Sequence, residues 1–211
     1  MDRWKQTLLA RNFSVADWYS IRDELDPKRF DRRWKHVISA MASRFTKRFV
    51  APADALIARD KRRRTMPEGP GFAVLALDCL LLETLFGYQR GARPPKTGRA
   101  FTQFLRSAPN FKGPFAGGRA EAFADAIRNS LLHDGETRDG WIKWKGRAGG
   151  PLIYEPGDGR LVLYRDAFHA AVKASITDYI NRLNSPDSVE LRRRLKKRID
   201  RLCDDSKPPG A

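Results

Sequence analysis

Apolar residues recur every three or four positions through most of this chain, the spacing of helices that bury one face. Trp4, Leu8, Leu9, Val15, Trp18 and Ile21 keep that spacing with a break at 12–14, which predicts short helices packed on a main body. After Asp26-Pro27 the residues Phe30, Trp34, Val37, Ile38, Met41 and Phe45 predict a longer helix with proline at its entry. Pro52 then interrupts it, and a second segment runs to about residue 59. Residues 60–71 read as a loop, because four adjacent cations run into Met66-Pro67-Glu68-Gly69-Pro70. The stretch 72–86 is apolar almost all round, as a central bundle helix is. It reads as too short and too acidic for a membrane span, since Asp78 and Glu83 interrupt it.

Residues 88–97 form a turn region, and Phe101, Phe104 and Leu105 mark a short amphipathic helix. Phe111 and Phe115 sit in the loop 109–118, where anchoring to the core is favoured over stacking on bases. A helix is predicted over 119–133, opened by Gly117-Gly118 and closed by Asp134-Gly135. The period then changes. Trp141 to Trp144, Leu152 to Tyr154 and Leu161 to Tyr164 are aromatic or β-branched and separated by turn residues, which predicts a small β-meander packed on the helices. Phe168, Val172, Ile176, Tyr179 and Leu183 restore helical spacing, with His169 expected to be structural. Beyond Pro186, the stripe Leu191, Leu195, Ile199 and Leu202 lies amid arginine and lysine, open to RNA, a membrane surface or a partner helix.

The fold class expected is therefore mainly α: an antiparallel helical bundle with a β insertion at about 141–164, after the helix 119–133. Residues 1–60 would be basic helices packed on the bundle, 61–185 the core, and 186–211 a basic helix with a flexible tail.

Charge changes the picture. The chain carries 41 basic and 25 acidic residues, a net +16, which implies a polyanionic partner: nucleic acid first, an anionic membrane surface as the competitor. Lys28, Arg29, Arg32, Arg33 and Lys35 make one helix face strongly basic, and Lys61, Arg62, Arg63 and Arg64 adjoin glycine and proline. Arg32, Arg33 and Lys61 to Arg64 are the candidate nucleic-acid contacts, although such charges also serve simply to keep a surface soluble. Two cysteines and three histidines support neither a disulfide framework nor a metal site, and no cofactor motif is present. The first residues lack the apolar core of a signal peptide, so a cytoplasmic protein is expected.

Candidate chemistry concentrates on the helix 119–133. At about 100° per residue, Asp125, Arg128, Asn129 and His133 share a polar arc opposite Phe123, Ala124, Ile127 and Leu131. Histidine exchanges protons near neutrality, and arginine grips phosphate bidentately. Asn129 lies one turn before His133 and can hold it or a substrate. Leu132 on the same arc suggests that this face meets another surface. Glu83, a carboxylate on an apolar helix, needs a partner, and Arg128 or His133 is the expected one. Arg29 and His36 satisfy a looser Arg-to-His spacing, but Phe30 follows that arginine, so the match is set aside.

Arg128-Asn129-Ser130-Leu131-Leu132-His133 resembles the motif of HEPN-type ribonuclease domains, in which an arginine, a polar residue and a histidine lie on a long helix of an all-α bundle. The run 69–85 and the run 127–141 are also similar to a bacterial family of HEPN-like type without an established activity. The resemblance implies a metal-independent endoribonuclease that leaves a 2′,3′-cyclic phosphate. Arg128, Asn129 and His133 would be catalytic and Glu83 orienting, and the site would be composite across a homodimer. It also implies a toxin or antiviral defence role held in check by a cognate partner. The alternative is a non-catalytic subunit of the same fold that binds nucleic acid or protein.

Overall fold

The computed structural model describes residues 3–62, 70–93, 99–129, 141–144, 151–155, 157 and 161–207. The chain is mainly helical, and it divides into two compact units. One comprises Met1–Arg48, Leu85–Pro94 and Ile176–Ala211; the other comprises Phe49–Thr84 and Pro95–Ser175.

In the first unit, the break at 12–14 is a β-hairpin, where separate short helices were expected. Strand β1 (Leu8–Ala10) pairs antiparallel with β2 (Phe13–Ser14), and Asn12 turns between them at φ +57°. Asparagine tolerates this left-handed conformation, and spacing alone does not announce it. Helix α1 (Val15–Ile21) follows at once, opened by a capping box in which Ser14 Oγ accepts from Asp17 N and Asp17 Oδ2 accepts from Ser14 N. Helix α2 (Arg32–Phe45) starts five residues beyond Pro27, because Asp31 takes the cap and accepts from the Arg33 and Trp34 amides. Its apolar positions Trp34, Val37, Ile38, Met41 and Phe45 are all buried, as the spacing predicts.

Two long helices, α4 (Gly71–Arg90) and α7 (Arg165–Asn184), give their C-terminal ends to this unit. Phe45 packs edge-on against Tyr88 and Tyr179, at 5.2 and 6.4 Å between ring centroids. Helix α8 (Val189–Asp204) buries Leu191, Leu195 and Ile199, so most of the stripe left open to an outside partner is spent on the protein's own packing. Arg192 is fully buried. Its guanidinium donates to the carbonyls of Leu183, Ser185 and Pro186, at the end of α7, and to that of Pro27. Residues 208–211, the expected tail, lie outside the described residues.

The second unit holds α3 (Ala51–Arg62), the N-terminal part of α4, α5 (Arg99–Ser107), α6 (Arg119–Phe123) and the start of α7. Pro52 does not end the helix: the chain passes from α2 through a π-helical turn, Thr46–Val50, straight into α3, and Pro52, which has no N–H to give the preceding turn, sits just beyond that irregular turn. Helix α3 extends to Arg62, so Lys61 and Arg62 belong to a helix and not to the predicted loop. The core is aromatic. Phe115 lies 5.1 Å from Phe123, Phe123 5.3 Å from Phe168, and Phe111 5.5 Å from Phe168. Phe111 and Phe115 are fully buried, which makes them anchors and removes them as base-stacking platforms.

Three short strands are present: β3 (Trp141–Trp144), β4 (Ile153–Tyr154) and β5 (Leu161–Tyr164). They are not a meander. The order is β3-β5-β4, with β3 parallel to β5 and β4 antiparallel to it. The most apolar strand, β5, takes the centre and buries Val162 and Leu163. The two-residue β4, which follows Pro151, is left at an edge. The connection from β3 to β5 exceeds the roughly dozen residues that a parallel crossover needs.

By length and composition α4 does qualify as a membrane-spanning helix, against the expectation that it is too short. Both of its acidic residues, Asp78 and Glu83, are paired inside the second unit, with His169 and Arg128.

Candidate functional site

Helix α6 begins at Gly118, whose φ of +86° suits glycine, and passes after Phe123 into a π-helical turn, Ala124–Asn129. The wider turn departs from a uniform 100° progression, yet Phe123, Ala124 and Ile127 are buried, Asp125 is exposed, and Arg128 and Asn129 are half-buried. A π-turn inside an α-helix re-aims the side chains that follow it. Here those side chains are Arg128 and Asn129.

Arg128 Nε donates to Glu83 Oε1 at 2.7 Å, and each side chain is 17% exposed. Arg128 also donates through Nη1 to Asn129 Oδ1 at 2.7 Å, and Asn129 Nδ2 donates to Asp125 Oδ1 at 3.3 Å. The four residues form one chain of hydrogen bonds from α4 to the π-turn. Arg128 is thereby locked in one orientation, and its Nη2 group makes no hydrogen bond among the described residues. A guanidinium fixed through Nε and Nη1 with donors to spare can present a directed cation to an oxyanion. His133 and Leu132 lie outside the described residues, so the structure brings together Glu83, Arg128 and Asn129 of the predicted site.

The predicted nucleic-acid contacts separate. Lys61 Nζ lies 3.2 Å from Asp166 Oδ2 and remains largely exposed. Arg63 and Arg64, and the side chain of Arg62, lie outside the described residues. Arg33 is engaged with Glu24 at 2.5 Å and Asp31 at 3.2 Å, whereas Arg32 is exposed and unpaired among the described residues.

A second polar cluster in the same unit gathers around His169, expected to be structural, with partners that the sequence does not name. His169, on α7, donates through Nδ1 to Asp78 Oδ1 at 2.8 Å, and its Nε2 lies 3.2 Å from Asp54 Oδ1. Lys173 holds Asp54 from the next turn at 3.0 Å, and Arg165, one turn earlier, pairs with buried Asp60 at 2.6 Å. With a carboxylate at each ring nitrogen, His169 fits the doubly protonated imidazolium. Burial disfavours that charge, but the hydrogen bond and charge of Asp78, reinforced by Asp54, outweigh it and raise the His169 pKa above its ordinary 6.5. Burial pushes the Asp78 carboxyl up as well, against the pull of His169. The signal was present in the sequence: Arg165, His169 and Lys173 recur at four-residue intervals, one cationic ridge on a helix.

Burial pushes the Cys79 thiol well above its ordinary value, so it is no nucleophile. No family model, curated protein or solved structure matches this chain.

Proposed function

We propose that this protein is an HEPN-like helical domain acting as a metal-independent endoribonuclease. The observation that carries the reading is the hydrogen-bonded chain Glu83, Arg128, Asn129, Asp125, which fixes a half-buried guanidinium five positions before His133 in the sequence. In the reaction, the RNA 2′-oxygen forms a bond to the adjacent phosphorus and the bond from phosphorus to the 5′-oxygen breaks. A base takes the 2′-hydroxyl proton and an acid supplies one to the departing 5′-oxygen. His133 performs one of these transfers. The products are a 2′,3′-cyclic phosphate and a 5′-hydroxyl. Arg128 stabilises the charge that builds on the non-bridging oxygens, Glu83 orients it, and Asn129 holds it from the other side. A second copy of the chain supplies the second histidine, which makes a homodimer the working form. A toxin or defence role, restrained by a cognate partner, is the setting such an activity implies.

The test is cleavage of single-stranded RNA in EDTA, with His133→Ala and Arg128→Ala beside the parent protein. Cleavage confined to the parent, with cyclic-phosphate ends, supports the assignment. Cleavage that persists in both variants, or that needs a divalent metal, overturns it.

One observation favours a second reading, a non-catalytic nucleic-acid-binding subunit of the same fold. The charge of Arg128 is already balanced by Glu83, as in an ordinary structural ion pair. Such a protein would retain RNA intact, with an affinity that falls steeply as salt rises.

A further inference from the structure

The first unit contains an open cleft of about 520 Å³ lined by Ile21, Arg29, Asp31, Arg32, Arg33 and His36. Its volume lies within the range of small-ligand sites. We infer that it binds a phosphomonoester, carried either on the end of an RNA strand or on a free nucleotide.

Three features of the lining point there. Arg29 and Arg32 make no side-chain hydrogen bond or ion pair among the described residues, so two guanidiniums face the cleft uncompensated. Arg33 is already balanced by Glu24 and Asp31. Asp31, the one carboxylate in the lining, is spent: Oδ1 accepts from the Arg33 and Trp34 amides, and Oδ2 faces the Arg33 guanidinium.

The backbone that carries the two cations is fixed before any ligand arrives. Arg29 closes a turn in which its amide donates to the Asp26 carbonyl at 3.1 Å, and the buried Trp34 indole donates to that same carbonyl at 2.7 Å. Arg32 opens the first turn of α2. His36, one turn on, stands edge-on to the buried Phe13 ring at 5.5 Å. A fixed backbone leaves only the two side chains to be ordered by the ligand, which lowers the cost of engaging them.

Two uncompensated cations match a terminal phosphate, which carries close to two negative charges near neutrality, better than an internal phosphodiester with one. A passing backbone is tracked by an extended basic groove, whereas a local concavity suits an end group. The inference stands apart from the cleavage reading, since a protein that never cuts RNA would show it too.

The test uses the full chain and a short single-stranded 2′-O-methyl oligoribonucleotide, which lacks the attacking hydroxyl, so cleavage does not enter the readout. The strand is labelled at its 3′ end, carries either a 5′-phosphate or a 5′-hydroxyl, and binding is followed by fluorescence polarisation. The phosphorylated strand should bind about tenfold more tightly, a gap the doubly substituted Arg29→Gln, Arg32→Gln protein erases. A charge-matched control, Arg182→Gln with Lys197→Gln, both exposed, should weaken both strands alike and keep the gap. Competition by adenosine monophosphate would assign the cleft to free nucleotides, and its failure to compete while the gap stands would assign it to strand ends. Equal binding of the two strands by the parent, or a gap that survives in the Arg29→Gln, Arg32→Gln protein, overturns the proposal.

Discussion

Arg128 Nε and Glu83 Oε1 are 2.7 Å apart, in a pair that leaves only 17% of either side chain exposed. Replacing Glu83 with Gln keeps the shape and removes the charge, so Arg128 stays half-buried with a weaker acceptor. A stability loss of roughly 1–3 kcal/mol is expected, below the 3–5 of a fully buried broken pair, and it should appear as a lower Tm. If Glu83 orients Arg128 for chemistry, RNA cleavage at a temperature where the variant is folded should fall further than the unfolded fraction explains. Undiminished cleavage by a folded Glu83→Gln protein would leave the pair purely structural.

The imidazolium of His169 makes stability depend on pH with a definite sign. Its pKa is raised in the folded chain, so its contribution is complete below the ordinary 6.5 and is lost as pH rises through the folded value. Asp78, also raised, adds a contribution of the same sign at more acid pH, present below 3.8 and lost above its folded value. Asp54 and Lys173 are the charged groups nearest the ring beside Asp78, with the Arg165–Asp60 pair one turn earlier. Tm should therefore fall as pH is increased above 6.5, and His169→Gln should flatten that slope. An identical slope in parent and variant would show that the ring is not held charged.

Arg192 takes the place of a capping residue at the end of α7. Its donors reach three carbonyls there and the Pro27 carbonyl, groups that a helix end and a loop otherwise offer to water. Arg192→Met should cost about 2–4 kcal/mol in chemical denaturation, since buried acceptors lose charge-assisted partners. Arg192→Lys should fall between the two, because one ammonium cannot reach four carbonyls in the geometry of a planar fork. Parent-like stability in Arg192→Met would mean that water replaces the guanidinium at no cost.

The features legible in the sequence are those that depend on near neighbours. Trp34 to Phe45 and the run through Leu85 declare helices by their own spacing, and Glu83 declares its need for a partner by sitting on an apolar helix. What was hidden depends on distant residues. His169 finds Asp78 and Asp54 across 91 and 115 positions, and the local ridge of Arg165, His169 and Lys173 does not name the carboxylates that meet it. The choice of β5 as the central strand is settled by pairing with two segments distant in sequence, which no single segment's composition states. The hairpin at residues 8–14 hangs on one left-handed asparagine, and the Arg29, Arg32 and His36 cleft on the capping of α2 by Asp31. The Arg29 and His36 pairing that was set aside as a motif returns as the wall of a cleft.

Gly91 and Gly117 separate two costs that a glycine can hide. Both have positive φ, +62° and +61°, so alanine at either site carries the left-handed penalty of roughly 1–2 kcal/mol. Around Gly117 an added Cβ meets nothing within 4 Å, and Gly117→Ala should show that penalty alone. At Gly91 the same atom would lie 2.9 Å from the Cα and the carbonyl oxygen of Arg194, which are backbone atoms of α8 that no rotamer change can move. Gly91→Ala should therefore lose about 1–3 kcal/mol more than Gly117→Ala in denaturant unfolding, as overpacked sites do. Equal losses would mean that α8 yields by the needed few tenths of an ångström without penalty, and that the contact at Gly91 does not fix its position.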